Sequence, residues 1–366
     1  GMIPVYKPFI PESSVKYAKD AIESTWISSN GKYVDMAIEK LSEIGGYKYV
    51  FLTNNGTSAT HLVARSLKKF NPEVKRVLVP SACYVAAYNS LIYDDNGWDI
   101  QCVDLDLETW NMNIQDVKPG DAIYAVHNLG NIINIPKLKR LYGCPIIEDN
   151  CEGFFGTHER KSSGTESLCS SLSFFGNKYI TSGEGGAFMT NSKEVYDYAL
   201  KLSRQGQTEQ RYIHDELGYN YRMTNVQAAI LLGQLENVES VYNNKLRVFD
   251  TYKNMLRYRQ PKKIELQKSE ENTHHSMWMF GVRFKGLESH DVAGKYFNDL
   301  GIDTRPMFYS YKKHSHLNFS GDDDTATLLS KEVVVFPSYP ELSSSEIEFI
   351  TDKIKQFAVE RLTKND

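Results

Sequence analysis

The sequence predicts an α/β protein in two parts: a large domain over residues 1–245 with a mostly parallel sheet, and a smaller α+β domain over residues 246–366. Three observations predict this. Short unbroken apolar runs alternate with longer stretches of helical periodicity, as buried parallel strands covered by helices require. A capping box, Thr224-Asn225-Val226-Gln227, opens a helix whose apolar residues Ala228, Leu231, Leu232, Leu235 and Val238 recur at helical spacing. After about residue 245 the regular alternation gives way to a mixed pattern of strands and helices.

The elements follow in order. Tyr49-Val50-Phe51-Leu52 reads as a strand and Asn54-Asn55-Gly56 as the turn after it. A helix should begin near Thr57 or Ser58 and run towards Phe70. Further strands are expected at Val77-Leu78-Val79, Ile123-Tyr124-Ala125-Val126, Ile146-Ile147, Leu172-Ser173-Phe174-Phe175 and Ala187-Phe188-Met189. In the second part, Trp278, Phe280, Val282 and Phe284 alternate like a half-buried strand. A helix over 292–300, a strand at Val333-Val334-Val335-Phe336 and a closing helix from about Ser345 complete the pattern.

Length and charge bound the function. The 366 residues suffice for one or two domains with a full core. A net charge of -4 without a long basic run gives no electrostatic footprint for nucleic acid. No apolar stretch approaches the roughly 20 residues of a membrane span. With no signal-peptide core at the N-terminus, a cytoplasmic location without a membrane partner is expected. Gly1 ahead of Met2 is left out of the fold argument. The five cysteines are odd in number and none lies in a Cys-x-x-Cys pair, which fits reduced thiols. His314 and His316 lie close together, but nothing at metal-ligand spacing accompanies them, so no metal site is expected. The acidic run Asp322-Asp323-Asp324 reads as a solvated loop.

One segment carries the chemistry. Lys178 follows Ser173-Phe174-Phe175-Gly176-Asn177 and precedes Gly183-Glu184-Gly185-Gly186. A lysine between an apolar strand and a glycine-rich turn is a candidate for attack on a carbonyl. Alone, it reads more readily as a surface lysine after a strand end. Asp149 ends the run Ile146-Ile147-Glu148-Asp149, and ligands of open α/β sheets bind beyond the carboxyl ends of strands. It could meet a cationic ring nitrogen or cap a helix. Asn55-Gly56-Thr57-Ser58, between strand and helix, suits a phosphate. Ser173 could add a hydroxyl to the same anion, and Tyr84 could stack on a ring. Phosphate cradle, carboxylate, aromatic lid and lysine together are what pyridoxal phosphate needs.

With these motifs the chain resembles the DegT/DnrJ/EryC1/StrS family of pyridoxal-phosphate-dependent nucleotide-sugar aminotransferases. The resemblance runs from Ile3-Pro4-Val5 through Trp26 to Tyr33, Asn55 to Ala59, His127-Asn128-Leu129-Gly130 and the lysine segment to Gly218-Tyr219-Asn220-Tyr221-Arg222-Met223-Thr224-Asn225 and Thr304-Arg305-Pro306-Met307-Phe308-Tyr309. It implies an aspartate-aminotransferase-like large domain. It also implies roles: Lys178 as the Schiff-base lysine, Asp149 on the pyridinium, Thr57, Ser58 and Ser173 on the phosphate, and Tyr84 stacked on the ring. The same resemblance implies that Glu152 lies near the ring hydroxyl and that Asn220 reaches the phosphate of a partner subunit, so that a homodimer would share its sites. His214 and Arg305 are substrate-side candidates. The implied partners are L-glutamate and a nucleotide sugar, best GDP-4-keto-6-deoxy-mannose, with dTDP- or UDP-4-keto-6-deoxy-glucose as alternatives.

The chain departs from the family in three places. Thr60 stands where leucine is frequent, Asn150-Cys151 where small residues are preferred, and the stretch from Gly130 to Cys144 is short. A related 3-dehydratase branch has histidine in place of Lys178. A silent binding protein would keep the fold and lose the chemistry. A nicotinamide dehydrogenase needs Gly-x-Gly-x-x-Gly after an early strand, which Asn54-Asn55-Gly56 does not supply.

Overall fold

Eight strands form the central sheet, in the order Tyr49–Thr53, Gly186–Thr190, Ser170–Ser173, Ile146–Asp149, Asp121–Val126, Arg76–Pro80, Asp99–Val103 and Ser320–Gly321. A computed structural model describes residues 1–257 and 262–362. Only Gly186–Thr190 runs against the other strands. The unbroken apolar runs have their cause here. Along Asp121–Val126, Ile123 and Ala125 pack on one face with Leu78, Ile133 and Ile146, while Tyr124 and Val126 pack on the other with Leu62, Leu67 and Phe188. Every residue of that strand is buried, as expected for a parallel strand with both faces covered.

The helix Gly56–Phe70 packs against Ser170–Ser173 and Gly186–Thr190. The capping box forms as expected: Thr224 Oγ1 accepts the Gln227 amide at 3.1 Å, and Gln227 Oε1 accepts the Thr224 amide at 2.9 Å. The helix it opens, Asn225–Glu236, crosses Glu12–Glu23 so closely that a Cβ on Gly233 would lie 2.4 Å from the Ser14 nitrogen. Asn225 also holds the Trp26 to Tyr33 segment, accepting the Tyr33 amide at 3.0 Å and donating to the Trp26 carbonyl at 2.8 Å.

A second, antiparallel sheet orders Ile264–Leu266, Phe280–Phe284, Val333–Phe336 and Arg305–Pro306. The helices Val238–Arg257, His290–Asp299 and Ser344–Leu362 cover it. The expected boundary at residue 245 falls inside Val238–Arg257. Chain crossings tie the two parts together: Ser320–Gly321 pairs with Asp99–Val103, and Ile3 bridges Ile302.

Three local expectations are corrected, and one strand lay outside them. Phe280–Phe284 is buried at every residue rather than at alternate ones. Gly281 faces Trp110, and Arg283 is taken up by Glu332 at 2.9 Å and Glu265 at 2.8 Å. Asp323 is no solvated loop residue: it accepts from Ser310 Oγ at 2.6 Å and from Lys312 Nζ at 2.8 Å. The strand before the lysine starts at Ser170 and stops at Ser173, leaving Phe174 in the core and Phe175 half exposed. Asp99–Val103, a strand near the sheet edge, was hidden by its polar Asp99 and Gln101.

Candidate active site

Asp149 is the last residue of a central parallel strand and is nearly buried. Its Oδ1 accepts the Cys151 amide at 3.0 Å. Strand alternation sends the preceding Glu148 the other way, into the core. There Glu148 Oε2 lies 2.8 Å from His127 Nε2, both side chains fully buried. His127 Nδ1 accepts the Ile133 amide at 2.9 Å, so the proton sits on Nε2 and is donated to Glu148. Burial pushes the Glu148 carboxyl up, but the hydrogen bond from His127, with smaller help from other neighbours, outweighs it and holds it below the ordinary range. This buried pair fixes the strand end that carries Asp149.

Glu152 follows on the next turn. Its Oε1 accepts the Leu129 amide at 2.8 Å. Burial pushes its carboxyl up to about 7, opposed by Lys178 and reinforced by the charge of Asp149. Leu129 holds φ at 60°, a left-handed conformation that a β-carbon disfavours. The surroundings enforce it: the Met279 amide donates to the Leu129 carbonyl at 3.2 Å, and Ser276 Oγ donates to the Glu152 carbonyl at 2.7 Å.

The N-terminus of the helix Gly56–Phe70 opens on the same space. Asn55 accepts the Ser58 amide at 2.8 Å, while the amides of Gly56 and Thr57 have no helical acceptor. A Cβ on Gly56 would lie 2.7 Å from the Ser173 Cβ, so only glycine lets the Ser173 hydroxyl reach this helix end. Lys178 closes the arrangement, its Nζ 4.1 Å from the centre of the Trp278 ring.

These groups share one cleft of about 690 Å³. Of the expected site residues, Thr57, Tyr84, Asp149, Glu152, Ser173, Lys178 and Arg305 line it. Ser58 is buried beneath its own helix turn, bonded to Asn55. Asn220 is exposed outside the cleft and accepts from Arg222 Nε at 2.7 Å. His214 is exposed as well, its Nδ1 2.9 Å from the Gln205 carbonyl. The arrangement fits pyridoxal phosphate: a glycine-tight helix end for the phosphate, a buried carboxylate, a second carboxyl near neutrality, and a lysine on the same cleft.

Sequence reasoning missed several lining residues. His314 was weighed only as a metal ligand, yet it faces the cleft. Trp278 was taken as part of a strand pattern. Asn177 lines the cleft with its Oδ1 buried and without a partner among the described residues. Two of the departures from the family meet here: Thr60 Oγ1 lies 2.9 Å from Ser171 Oγ, and Cys151 Sγ lies 3.9 Å from Thr60 and 3.7 Å from Ser171. The paired substitutions fill one small polar corner of the cleft wall.

Known proteins agree with the geometry. The sequence pattern of the DegT/DnrJ/EryC1/StrS aminotransferase family matches residues 8–355. A GDP-perosamine synthase of Escherichia coli O157:H7 is 33% identical over 377 residues, spanning 97% of this chain and 98% of the relative. One of Vibrio cholerae is 32% identical, spanning 97% and 99%. Among solved structures, the E. coli GDP-4-keto-6-deoxy-D-mannose-3-dehydratase with bound hydrated PLP superposes with a TM-score of 0.89 at 21% identity, over 97% of this chain and 100% of that one. Helicobacter pylori PseC, an aminotransferase of pseudoaminic acid biosynthesis, gives 0.89 at 17% identity, over 97% and 99%. These two establish the fold. With nearly its whole length matched, the chain belongs to the DegT/DnrJ/EryC1/StrS family, the pyridoxal-phosphate-dependent nucleotide-sugar aminotransferases.

Proposed function

We propose that this protein transfers the amino group of L-glutamate to GDP-4-keto-6-deoxy-mannose, giving GDP-perosamine. The observation that carries the transfer is the convergence of Lys178, Asp149 and Glu152 on one cleft beside an open helix N-terminus. The choice of sugar nucleotide rests on the 33% and 32% identity to two GDP-perosamine synthases.

Bound in the cleft, pyridoxal phosphate would supply an electron sink for the carbon that exchanges amine and keto oxygen. The chain's own residues do the rest. The amides of Gly56 and Thr57, with the hydroxyls of Thr57 and Ser173, hold the phosphate. Asp149 keeps a proton on the ring nitrogen. Glu152, near neutrality, faces the ring hydroxyl and can share its proton. Lys178 Nζ would hold the cofactor through its carbonyl carbon and, once released by the incoming amine, would be the group to carry a proton between the reacting carbons. Tyr84 stacks on the ring, and Arg305, bonded to Asp303 at 2.8 Å, waits at the sugar side.

The working unit in this reading is a homodimer. Asn220 lies outside its own cleft, where it can serve a second one, and Trp26, Tyr212 and Leu217 expose 59%, 74% and 86% of their surface. This apolar exposure supports the dimer reading. A two-fold axis would place each Asn220 in the opposite site.

The test is a panel of GDP-, dTDP- and UDP-linked 4-keto-6-deoxy sugars with glutamate, read by product mass. The GDP sugar should be aminated fastest, by orders of magnitude if base recognition is buried. Preference for the dTDP or UDP sugar would leave the transferase standing and overturn the perosamine assignment.

A further inference from the structure

Trp278 sits where the second part of the chain meets Lys178. It comes from the segment leading into the strand Phe280–Phe284 and is only 6% exposed. Its indole N–H donates to the Asn177 carbonyl at 2.8 Å, and its ring face lies 4.1 Å from Lys178 Nζ. One side chain thus grips both the backbone before the lysine and the amine itself. Packing alone would need neither contact.

The indole is itself tightly held. The Trp278 carbonyl accepts from Lys245 Nζ at 2.8 Å and from Ser338 Oγ at 3.3 Å. Lys245 is fully buried, donates also to the Ser338 carbonyl, and lies 5.0 Å from the Tyr6 ring centre. The preceding Met277 holds a left-handed φ of 63°, and its amide donates to His275 Nδ1 at 2.8 Å.

The amine has competitors for its company. Glu152 and Asp149 face the same space and would draw an ammonium into an ion pair. An amine resting on an aromatic face is held by a cation–π contact instead and leaves both carboxyls to other partners.

We propose that Trp278 is a positioning residue for Lys178: it parks the amine on its indole face whenever the amine is not bonded to the cofactor, and restrains Asn177 so that the amine moves only into the cleft. The proposal rests on Lys178 being the lysine that carries the cofactor.

Cofactor-free wild type, Trp278→Phe and Trp278→Leu test it by two rates. The first is growth of the visible absorbance band on mixing with pyridoxal phosphate. The second is reductive methylation of Lys178 in the cofactor-free protein, read by peptide mass with exposed Lys48 as internal reference. Trp278→Leu should slow band growth about tenfold, because an amine no longer held at the cleft reaches the cofactor in productive orientation less often, while Lys178, released from the indole, methylates faster relative to Lys48. Trp278→Phe keeps a ring face and loses the N–H donor, so it should fall between. Band growth within about twofold of wild type in Trp278→Leu overturns the proposal, because the contact would then contribute almost nothing. So does faster methylation of all lysines together, which means a loosened fold. If wild type itself gives no visible band, the cofactor assignment fails, and the methylation ratio alone decides whether the indole holds the amine.

Discussion

Lys178 and Lys245 both contact Trp278, one over its ring and the other on its carbonyl. Their settings differ in every other respect. Lys245 is fully buried on the helix Val238–Arg257, and burial pushes its amine well below the ordinary lysine range. Its hydrogen atoms go to the Trp278 and Ser338 carbonyls. Lys178 is only partly buried and faces a cleft that also holds Asp149 and Glu152. A desolvated lysine loses its proton readily, but Lys245 shows that desolvation by itself makes a structural peg. What distinguishes Lys178 is room for a carbonyl compound and carboxyls around it.

Lys178→Ala is the largest break in this contrast. Wild type with pyridoxal phosphate should absorb in the visible range, and the variant should lose that band altogether. A persisting band would mean that another lysine carries the cofactor. Asp149→Asn comes next. An amide cannot hold the ring nitrogen protonated, so turnover should fall by more than about tenfold, above about 1.4 kcal/mol, with the fold retained. A smaller loss in steady-state rate would remove Asp149 from the ring nitrogen. The proposed shared site of a dimer is tested by mixing the Asn220→Ala and Lys178→Ala proteins. Each parent has two damaged sites, whereas a mixed dimer concentrates both lesions in one. Activity should reappear as subunits exchange; verified exchange without recovery puts Asn220 in its own site or outside the chemistry.

Glu152 sharpens the comparison, because it is the neutral-range acid that Lys178 has and Lys245 lacks. Its carboxyl is raised from 4.5 to about 7 in the folded chain. In that window the folded state holds a proton that the unfolded state has released. Folding stability from this group is therefore fully present below pH 4.5 and lost as pH rises through about 7. Glu152→Gln keeps an oxygen for the Leu129 amide and cannot titrate. Urea titrations of the cofactor-free protein should show the wild type losing about 3 kcal/mol relative to the variant across this range. Parallel pH profiles would mean that the carboxyl is not raised.

Much of the fold was legible because its signals are local. The apolar runs found the inner strands, and Thr224 with Gln227 found the helix start. Asp99–Val103 was not legible, since a strand near the edge tolerates the polar residues that break an apolar run. The lysine segment, Asp149 and the Asn55 turn were readable as candidates because each lies at a strand end. Trp278 and His314 were not, because they reach the cleft from the second part of the chain through long-range packing. Asp323 shows the same limit: Ser310 and Lys312, more than ten positions away in chain contacts that no local pattern encodes, turn an acidic run inward.

Lys245→Met gives the smallest effect and the sharpest separation of the two lysines. Methionine fills a similar volume without a charge to desolvate, so the core should accept it. The Ser338 carbonyl then loses its donor and the Trp278 carbonyl keeps only Ser338 Oγ at 3.3 Å, and an unpaired buried acceptor costs about 1–3 kcal/mol. Removing the desolvation cost of the amine offsets part of this, leaving a net loss of about 2 kcal/mol at neutral pH. The loss should depend on pH. Because burial lowers the Lys245 amine in the folded state, the unfolded chain binds more protons, and the wild type gains stability as pH rises towards 10.5. The gap between wild type and Lys245→Met should therefore widen from neutral to alkaline pH. Throughout, the variant at saturating pyridoxal phosphate should still develop the visible band at one cofactor per chain. Loss of that band would erase the distinction between the two lysines, and an unchanged gap across pH would show that the Lys245 amine keeps its proton in the core.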